Sequence, residues 1–562
     1  MAPTTMTNLG ALSLVLSATA LAATSPYGPV SAACPASTAL TRPASAGVNT
    51  DETSYLSARK PAAQAALASW LAKTNSAYAA ADTASLPSIG LTVSGGGYRS
   101  MLTGAGLIQG LDARDSNATT AGLYQALSYQ AGLSGGSWLL AALAGNDWPR
   151  VSALRDDLWI AGLQQTLFVA DVANGGAIDV VGDLAAKTAA GFDVGLTDAW
   201  GRLLGYQMLY GEDGGVGKTL SGIADAEAFK GAEVPFPIIT ALGVKTWEGD
   251  CDPEADATQY EFTPYEFGSW DAGVAAFVES RYLGSELVDG VPSGGSNSNT
   301  SCVTGFDNLG FVFGTSSSLF NAVCLPVNIN QTQLGEHLAG FVSDLHELVT
   351  DDLFALYPNP FYQSNASSSS LVAAQENLHL VDGGTSNQNN PIWPLLHRGK
   401  DLLDVLIVND NSADTDDNWP NGTEIRNTWT QARAQLGAAS RMPDIPEPDV
   451  FVAEGLYKRP VFFGCGVGND TTTAAAAEGE EGDLLTILWV PNNNFTFASN
   501  VDTSKLQYSE AETRGMIANG QQVATQGGDA RWPACLACGI MVKSGETLPD
   551  ECDACLAEYC YN

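Results

Sequence analysis

The chain has 562 residues, of which 45% are hydrophobic and 15% are charged. This is ordinary globular composition in a chain long enough to bury a large core, which excludes global disorder. Asp and Glu together number 62 against 25 Lys and Arg, giving a formal net charge of −37. Such an excess repels phosphate backbones and anionic membrane surfaces, so we expect no nucleic-acid partner and no permanent attachment to anionic lipid.

The N-terminus has the pattern of a secretory signal peptide. Residues 1–23 carry no charged side chain, and residues 9–23 form an apolar run that ends in small residues near Ala22 and Ala23. The run is shorter than the ~18–20 residues of a spanning helix, so cleavage is predicted, with a short membrane anchor as the alternative. The chain does not end in an apolar tail. We therefore expect no GPI anchor and a secreted protein, either free or associated with the cell wall.

Two residue patterns agree with secretion. Asn-x-Ser/Thr sequons predict a glycoprotein, and they occur at Asn117, Asn299, Asn330, Asn365, Asn421, Asn469 and Asn494. In an oxidising compartment the 10 cysteines predict disulfide bonds, and they are Cys34, Cys251, Cys302, Cys324, Cys465, Cys535, Cys538, Cys552, Cys555 and Cys560. The two C-x-x-C pairs near the C-terminus leave a zinc ribbon as the less favoured alternative.

In chain order, the first predicted helix covers residues 61–81, after a Pro-, Ser- and Thr-rich segment. A buried strand over residues 88–94 ends at three glycines and precedes a helix over residues 101–111. The same order of strand, glycine turn and helix recurs with a strand over residues 126–133 and a helix over residues 137–143. This repetition predicts a parallel α/β core.

The rest of the chain adds helices, loops and two further strands. Residues 150–235 are helix-rich, with the clearest helices over residues 158–170 and 196–209, and they are predicted to form a helical cap. Strands are predicted over residues 377–381 and 403–408, and low-complexity loops over residues 294–300, 367–370 and 471–483. The expected fold class is therefore α/β, with a mostly parallel central sheet flanked by helices, helical cap insertions and a disulfide-rich C-terminal segment over residues 530–562.

Residues 132–136 (GLSGG) fit the pattern G-x-S-x-G, in which a tight turn between a strand and a helix exposes a nucleophilic serine. Glycines suit such a turn because Cβ atoms would clash there. A strand is predicted before Ser134 and a helix after it, which favours a nucleophile. The motif is short, however, and a plain Gly/Ser loop is the alternative.

Residues 94–99 (SGGGYR) form the second candidate feature. Three glycines at the end of a strand and before a helix leave backbone N–H groups free to face an anion, as an oxyanion hole requires. A tight turn is the alternative interpretation. Arg99 adds a fixed positive charge, which would bind a phosphate or carboxylate or else form a surface ion pair.

Asp382 lies at the end of a predicted strand and before two glycines. It would present its carboxylate over a cleft, although Asp-Gly is also a common turn. Either His397 or His379 would serve as the base of a Ser-His-Asp triad. A Ser–Asp dyad needs neither histidine, provided that burial raises the pKa of the carboxylate. The residues by themselves leave dyad and triad open.

Longer motifs resemble the fungal secreted phospholipase B family, also called lysophospholipases. The core also resembles the catalytic domain of cytosolic phospholipase A enzymes and, more distantly, patatin. The motifs start at residues 94 (SGGGYRSMLTGAG), 131 (AGLSGGSW), 196 (LTDAWGRLLGYQ), 261 (EFTPYEFGSWD), 305 (GFDNLGFVFGTSSSLFN) and 381 (VDGGTSNQNNPIWPLL). The spacing of the C-terminal cysteines also fits, whereas residues 277–289 depart from the family pattern. The resemblance implies that residues 24–562 form one catalytic domain.

The resemblance also implies roles for the candidate residues. It matches Ser134 to the family nucleophile, Asp382 to its partner in a Ser–Asp dyad, Gly96 and Gly97 to the oxyanion-hole amides, and Arg99 to an arginine near the substrate phosphate. The implied activity is hydrolysis of fatty-acyl esters of phospholipids and lysophospholipids through an acyl-enzyme. We expect transient contact with lipid aggregates, and no cofactor or metal. A broader carboxylesterase with a Ser-His-Asp triad and a non-catalytic surface glycoprotein of the same fold are the alternatives, and the oligomeric state is not predicted.

Overall fold

The computed structural model describes residues 25–35, 39–165, 167, 176–293, 302–321, 353–364, 370–466 and 484–561. Within these ranges no helix is both long enough and apolar enough to cross a bilayer. The predicted signal peptide and the predicted loops over residues 294–300 and 471–483 lie outside the described residues.

The described strands are β1 (Val30–Ala32), β2 (Thr41–Pro43), β3 (Ile89–Val93), β4 (Leu127–Leu133), β5 (Phe236–Gly243), β6 (Gln259–Phe262), β7 (Glu266–Ser269), β8 (Ala276–Glu279), β9 (Leu287–Val288), β10 (Val291–Pro292), β11 (Cys302–Thr304), β12 (Ala355–Pro358), β13 (Asn377–Asp382), β14 (Val405–Asp410), β15 (Val461–Phe463) and β16 (Thr486–Pro491). The longer helices are α1 (Thr50–Thr74), α2 (Gly97–Leu111), α3 (Gly135–Ala144), α4 (Gly176–Ala189), α5 (Leu196–Met208), α6 (Leu309–Thr315), α7 (Thr423–Leu436), α8 (Glu510–Thr525), α9 (Trp532–Met541) and α10 (Cys552–Tyr559). Shorter helical segments are Val151–Leu154, Arg155–Trp159, Ile160–Gly162, Glu227–Lys230, Ser370–Ala373, Trp393–Leu396 and Pro448–Ala453.

One sheet of 12 strands forms the centre of the fold, in the order β15-β16-β14-β3-β4-β5-β6-β7-β8-β2, with β13 paired to β5 and β12 paired to β13. The strands from β16 to β5 run parallel, and antiparallel strands extend the sheet on both sides. The predicted α/β fold class with a mostly parallel core is therefore confirmed. Strands β3 and β4 are buried along their whole length, as expected for parallel strands with helices on both faces.

Strand pairing brings the ends of β4 and β13 together. Strand β6 pairs with one edge of β5, and both β4 and β13 pair with the opposite edge. Leu133, the last residue of β4, pairs with Thr240, and Asp382, the last residue of β13, pairs with Ala241. Because β13 is antiparallel to β5, the two strands meet end to end. Ser134, which follows Leu133, is thereby placed beside Asp382.

Most predicted elements are confirmed to within a few residues, but two are wrong in extent. The helix expected to begin at Pro61 begins at Thr50, where the Asn49 side chain caps it by accepting the N–H of Asp51 at 2.7 Å. Pro61 lies inside this long helix. The helix expected over residues 158–170 is instead a series of short helical turns that ends at Gly162, and residues 168–170 lie outside the described residues.

Disulfide bonds join segments of the described chain that are 14 to 268 residues apart. The described bonds are Cys34–Cys302, Cys465–Cys560, Cys535–Cys555 and Cys538–Cys552. Cys251 is also disulfide-bonded, and Cys324 lies outside the described residues. The C-x-x-C cysteines of the tail thus join α9 to α10, so the preference for disulfides over a zinc ribbon is confirmed.

A buried charge cluster, formed by Glu52, Glu261 and Arg398, holds α1 against the sheet. The Arg398 guanidinium donates to both oxygens of Glu52 at 3.0 Å and to Glu261 at 2.7 and 2.8 Å. All three side chains are at most 2% exposed. Tyr129 and Trp270 donate further hydrogen bonds to the two carboxylates. One guanidinium therefore bonds to both carboxylates, and burial still raises the pKa of Glu261.

Candidate active site

Ser134 occupies a tight turn between β4 and α3. Its φ of 51° and ψ of −120° are unfavourable for a residue with a side chain and cost on the order of 1–3 kcal/mol. The neighbouring glycines allow the turn, because a Cβ on Gly132 would overlap Gly136 and a Cβ on Gly136 would overlap Val93. The turn presents the Ser134 hydroxyl at the carboxyl end of β4, as the G-x-S-x-G pattern predicts.

The Ser134 hydroxyl donates a hydrogen bond to Asp382. Its Oγ lies 2.7 Å from Oδ2 of Asp382, and Oδ1 of the same carboxylate accepts the N–H of Gly384 at 2.8 Å. Burial raises the pKa of Asp382 to about 6, although both hydrogen bonds act to lower it. A carboxylate of this basicity, in contact with a hydroxyl, can accept the proton of that hydroxyl at neutral pH.

The glycine loop that follows β3 lies directly against the serine turn. Gly96 and Gly97 have φ values of 131° and 58°, which glycine adopts without strain. A Cβ on Gly135 would overlap the Gly97 carbonyl, so the two turns approach as closely as glycine permits. Within the described ranges the N–H groups of Gly96 and Gly97 donate no hydrogen bond. These two amides are available to a bound anion, as an oxyanion hole requires.

Arg99 lies beneath the glycine loop and is only 1% exposed. Its Nε donates to the carbonyl of Asn411 at 2.8 Å and its Nη1 to the carbonyl of Val501 at 2.7 Å. Burial lowers the pKa of Arg99 to about 10, so the guanidinium stays charged at neutral pH. A Cβ built on Gly96 would lie 2.7 Å from Nη2 of Arg99. The guanidinium therefore supports the loop, and its predicted contact with a substrate phosphate stays a prediction.

An apolar pocket opens at Ser134. It is lined by Gly97, Ser134, Trp138, Trp200, Ser317, Leu319, Phe320, Thr503 and Leu506. Trp200 comes from α5, so the helix-rich segment over residues 150–235 reaches the site. The lining is mostly hydrocarbon and aromatic, which suits an apolar ligand group next to the serine hydroxyl. Whether that segment acts as a cap stays a prediction.

The described histidines have other contacts. The His397 ring stacks on Trp270 with centroids 5.0 Å apart, and burial lowers its pKa to about 3. Nδ1 of His379 lies 3.0 Å from the Thr246 hydroxyl. No hydrogen bond between the described histidines and Ser134 or Asp382 is found. His337 and His346 lie outside the described residues.

Sequence reasoning missed the polar residues that hold the site in place. The Ser316 hydroxyl accepts the N–H of Ser134 at 2.9 Å, and the Asn389 carbonyl accepts the N–H of Gly95 at 3.0 Å. Both residues lie in motifs that indicated the family resemblance without assigning a role to either residue. A run of three serines directly after an apolar segment is a weak sequence signal that could have drawn attention to Ser316, since buried hydroxyls need partners.

No group of three metal-ligating side chains is arranged to hold a metal ion in the part of the chain that the structure describes. Of the predicted glycosylation sites, Asn117 and Asn494 are exposed and Asn421 is half-buried. Asn299, Asn330, Asn365 and Asn469 lie outside the described residues.

Comparison with known proteins identifies the family. The family model for the lysophospholipase catalytic domain matches residues 89–562. Lysophospholipase 1 of Saccharomyces cerevisiae is 36% identical over 95% of this chain and 83% of its own length. A lysophospholipase of Penicillium chrysogenum is 38% identical over 95% of this chain and 90% of its own length. These proteins and this chain share nearly their whole length.

A solved structure supports the fold independently. Human GIVD cytosolic phospholipase A2 superposes with a TM-score of 0.66 at 16% sequence identity, over 92% of this chain and 72% of that chain. The agreement concerns the fold alone. Together with the family match, it leads to one conclusion: the chain belongs to the lysophospholipase family and is a phospholipid ester hydrolase.

Proposed function

We propose that the protein hydrolyses fatty-acyl esters of lysophospholipids and glycerophospholipids through a Ser134–Asp382 dyad. The observation that carries this proposal is the 2.7 Å hydrogen bond from the Ser134 hydroxyl to a buried carboxylate, at the mouth of an apolar pocket. The pocket would hold the acyl chain, which places the ester carbonyl at Ser134.

The first step forms an acyl-enzyme. Oγ of Ser134 attacks the ester carbonyl while Asp382 accepts the hydroxyl proton. The N–H groups of Gly96 and Gly97 stabilise the oxyanion of the tetrahedral intermediate; such a donor is worth ~3–4 kcal/mol at the transition state. When the C–O bond breaks, Asp382 returns the proton to the leaving alcohol oxygen.

The second step regenerates the enzyme. Asp382 accepts a proton from water, the resulting hydroxide equivalent attacks the acyl carbonyl, and the fatty acid leaves as Ser134 recovers its proton. The first step needs Asp382 ionised in the free enzyme, and the second needs it ionised in the acyl-enzyme. Because burial raises its pKa to about 6, kcat/KM should fall about tenfold per pH unit below that value.

We propose that Arg99 contacts the substrate phosphate through one of its three guanidinium nitrogens. Two of its nitrogens are held by backbone carbonyls, so the phosphate would be reached through Nη2, which lies next to Gly96. The same guanidinium holds the glycine loop, so its loss should affect both substrate orientation and oxyanion binding.

A Ser-His-Asp triad is the alternative in a broader carboxylesterase. The described geometry favours the dyad, since Asp382 itself accepts the hydrogen bond of Ser134 and the His397 ring stacks on Trp270. A dyad enzyme should keep most of its activity in His397→Gln.

We also propose that the protein is secreted and glycosylated. Disulfide bonds of this number are typical of oxidising compartments, and the exposed Asn117 and Asn494 are accessible to glycosylation. Treatment of the purified natural protein with an endoglycosidase should lower its apparent mass.

The direct test of the proposed function is Ser134→Ala. Fatty-acid release from lysophosphatidylcholine and phosphatidylcholine should fall by more than about 10³-fold, with an unchanged circular dichroism spectrum. Release near the wild-type rate by the folded variant would contradict the proposal.

A further inference from the structure

The three serines that follow α6 contact the nucleophile, the acid and the pocket wall. This segment, Ser316 to Ser318, is buried throughout. The Ser316 hydroxyl accepts the N–H of Ser134, and the Ser318 carbonyl accepts the N–H of Asp382 at 3.0 Å. No other described segment is seen to bond to both members of the dyad.

The Ser316 hydroxyl makes two hydrogen bonds. It accepts the N–H of Ser134 at 2.9 Å and donates its own proton to the Thr240 carbonyl at 2.7 Å. Thr240 pairs with Leu133, the residue before Ser134. The hydroxyl therefore joins the nucleophile turn to the adjacent strand β5, and the direction of each hydrogen bond is fixed because a carbonyl cannot donate.

The hydrogen bond from the Ser134 N–H to the Ser316 hydroxyl stabilises an otherwise unfavourable backbone conformation at Ser134. Ser134 has a φ of 51°, a conformation that a side chain disfavours. In this conformation its N–H points at Ser316 while its Oγ points at Asp382. Without an acceptor the buried N–H would be unsatisfied and the turn could relax toward ordinary backbone angles.

We infer that Ser316 is a positioning residue for the hydrolytic reaction: its hydroxyl holds the strained Ser134 backbone so that the Ser134 hydroxyl stays aligned on Asp382. This inference rests on the proposed function. It also assigns the Ser134 N–H to a structural bond, so this N–H is not a donor to the oxyanion.

The hydroxyls of Ser317 and Thr315, on either side of Ser316, make different hydrogen bonds. The Ser317 hydroxyl accepts the indole N–H groups of Trp138 and Trp200, at 2.9 and 3.0 Å, so it supports the pocket wall. The Thr315 hydroxyl donates to the Phe311 carbonyl at 2.8 Å and lies 2.7 Å from the Tyr357 hydroxyl. Thr315 is buried and makes no described side-chain hydrogen bond to the dyad or the pocket. It is therefore the matched control for the loss of a buried hydroxyl.

The experiment compares Ser316→Ala with Thr315→Val. Ser316→Ala should lower kcat about 10- to 100-fold with little change in KM, because substrate still binds while the nucleophile is misaligned. Thr315→Val should lower thermal stability but leave kcat within about twofold. Equal kcat values in Ser316→Ala and the wild type would overturn the inference.

A second readout separates positioning from general loss of structure. The hydrogen bond from Ser134 lowers the pKa of Asp382, so weakening that bond should raise it. The acid limb of the kcat/KM profile should therefore move to higher pH in Ser316→Ala and stay in place in Thr315→Val. An unmoved limb in Ser316→Ala, with a lowered kcat, would also overturn the inference.

A further variant covers the case in which Ser316→Ala does not fold. Ser316→Cys keeps the side-chain volume, but sulfur accepts hydrogen bonds poorly, so a smaller loss of kcat with the same direction of limb shift is expected. Wild-type kcat and profile in the folded Ser316→Cys would then overturn the inference. If Ser134→Ala is inactive while the Ser316 variants behave as wild type, only this inference fails and the proposed function stands.

Discussion

Among the buried carboxylates of the described residues, those of the buried charge cluster and that of Asp382 differ in their hydrogen-bond partners. In the cluster of Glu52, Glu261 and Arg398, each carboxylate receives guanidinium hydrogen bonds and one more from a neighbouring side chain. Within the described ranges, the Asp382 carboxylate accepts hydrogen bonds from the Gly384 N–H and the Ser134 hydroxyl alone. The comparison teaches that guanidinium hydrogen bonds tie the cluster carboxylates into the fold, whereas Asp382 has no cation among its described hydrogen-bond partners and burial raises its pKa to about 6.

The largest expected effect is on catalysis. Asp382→Asn should lower kcat/KM at pH 8 by about 10³-fold or more, because the amide cannot accept the Ser134 proton. His397→Gln is the control and should stay within about threefold of the wild type. Comparable losses in the two variants, measured as fatty-acid release, would favour a histidine base instead.

The second-largest expected effect is a loss of stability on disruption of the buried charge cluster. Arg398→Met should destabilise the fold by about 3–5 kcal/mol, since it leaves two buried carboxylates without their cation. Lys230→Met, which removes the exposed pair with Asp225, should cost at most about 1 kcal/mol. Urea unfolding of both variants at pH 7 tests this difference, and similar costs would refute the assignment of the cluster as the structural site.

The third-largest expected effect is a gain in stability. Most substitutions destabilise a protein, but removal of the buried Asp382 carboxylate should stabilise the folded state. The pKa of Asp382 is raised from 3.8 to about 6, so wild-type stability falls as pH rises through this window and levels off above it. Asp382→Asn removes this fall, so its stability advantage should grow to about 3 kcal/mol above pH 6. Thermal unfolding of Asp382→Asn and the wild type at pH 4 and pH 8 measures this difference in stability. A variant that is more stable than the wild type at pH 4 alone would contradict the raised pKa.

The smallest effect concerns Arg99. Arg99→Met should lower the hydrolysis of a phosphate-free p-nitrophenyl ester, because the glycine loop loses its support. Hydrolysis of lysophosphatidylcholine should fall about tenfold further, through the lost phosphate contact. Measurements of kcat/KM on both esters separate the loop-supporting role of Arg99 from its contact with the phosphate. Equal losses would leave Arg99 with the loop-supporting role alone.

The candidate site could be located from the sequence, because its parts coincide with glycine-rich turns at strand ends. Glycine patterns marked the turn at Ser134 and the loop at Gly96 and Gly97, and resemblance linked them to Asp382. The contact between Ser134 and Asp382 could not be derived, since it depends on two strands that meet end to end on one edge of β5. Residues 248 positions apart become neighbours only through that pairing.

The remaining features depend on tertiary context. The start of α1 has a local signal in the Asn49 cap, but the helix continues through Pro61, which local propensity disfavours, and the contacts of Glu52 in the buried charge cluster hold its first turns against the sheet. Ser316 was missed because a hydroxyl that supports another backbone carries no distinctive spacing. The partners of Ser316 lie far away in the chain, so composition and periodicity contain no record of them.

The central claim is that Asp382 activates Ser134 without a histidine. The most direct measurement is the pH dependence of covalent labelling by a long-chain alkyl fluorophosphonate, which reacts with activated serines, with the labelled peptide identified by mass spectrometry. The label should be on Ser134, the rate should rise through about pH 6, and Asp382→Asn should lose it while His397→Gln keeps it. Labelling of another residue, or an unchanged rate in Asp382→Asn, would contradict the account.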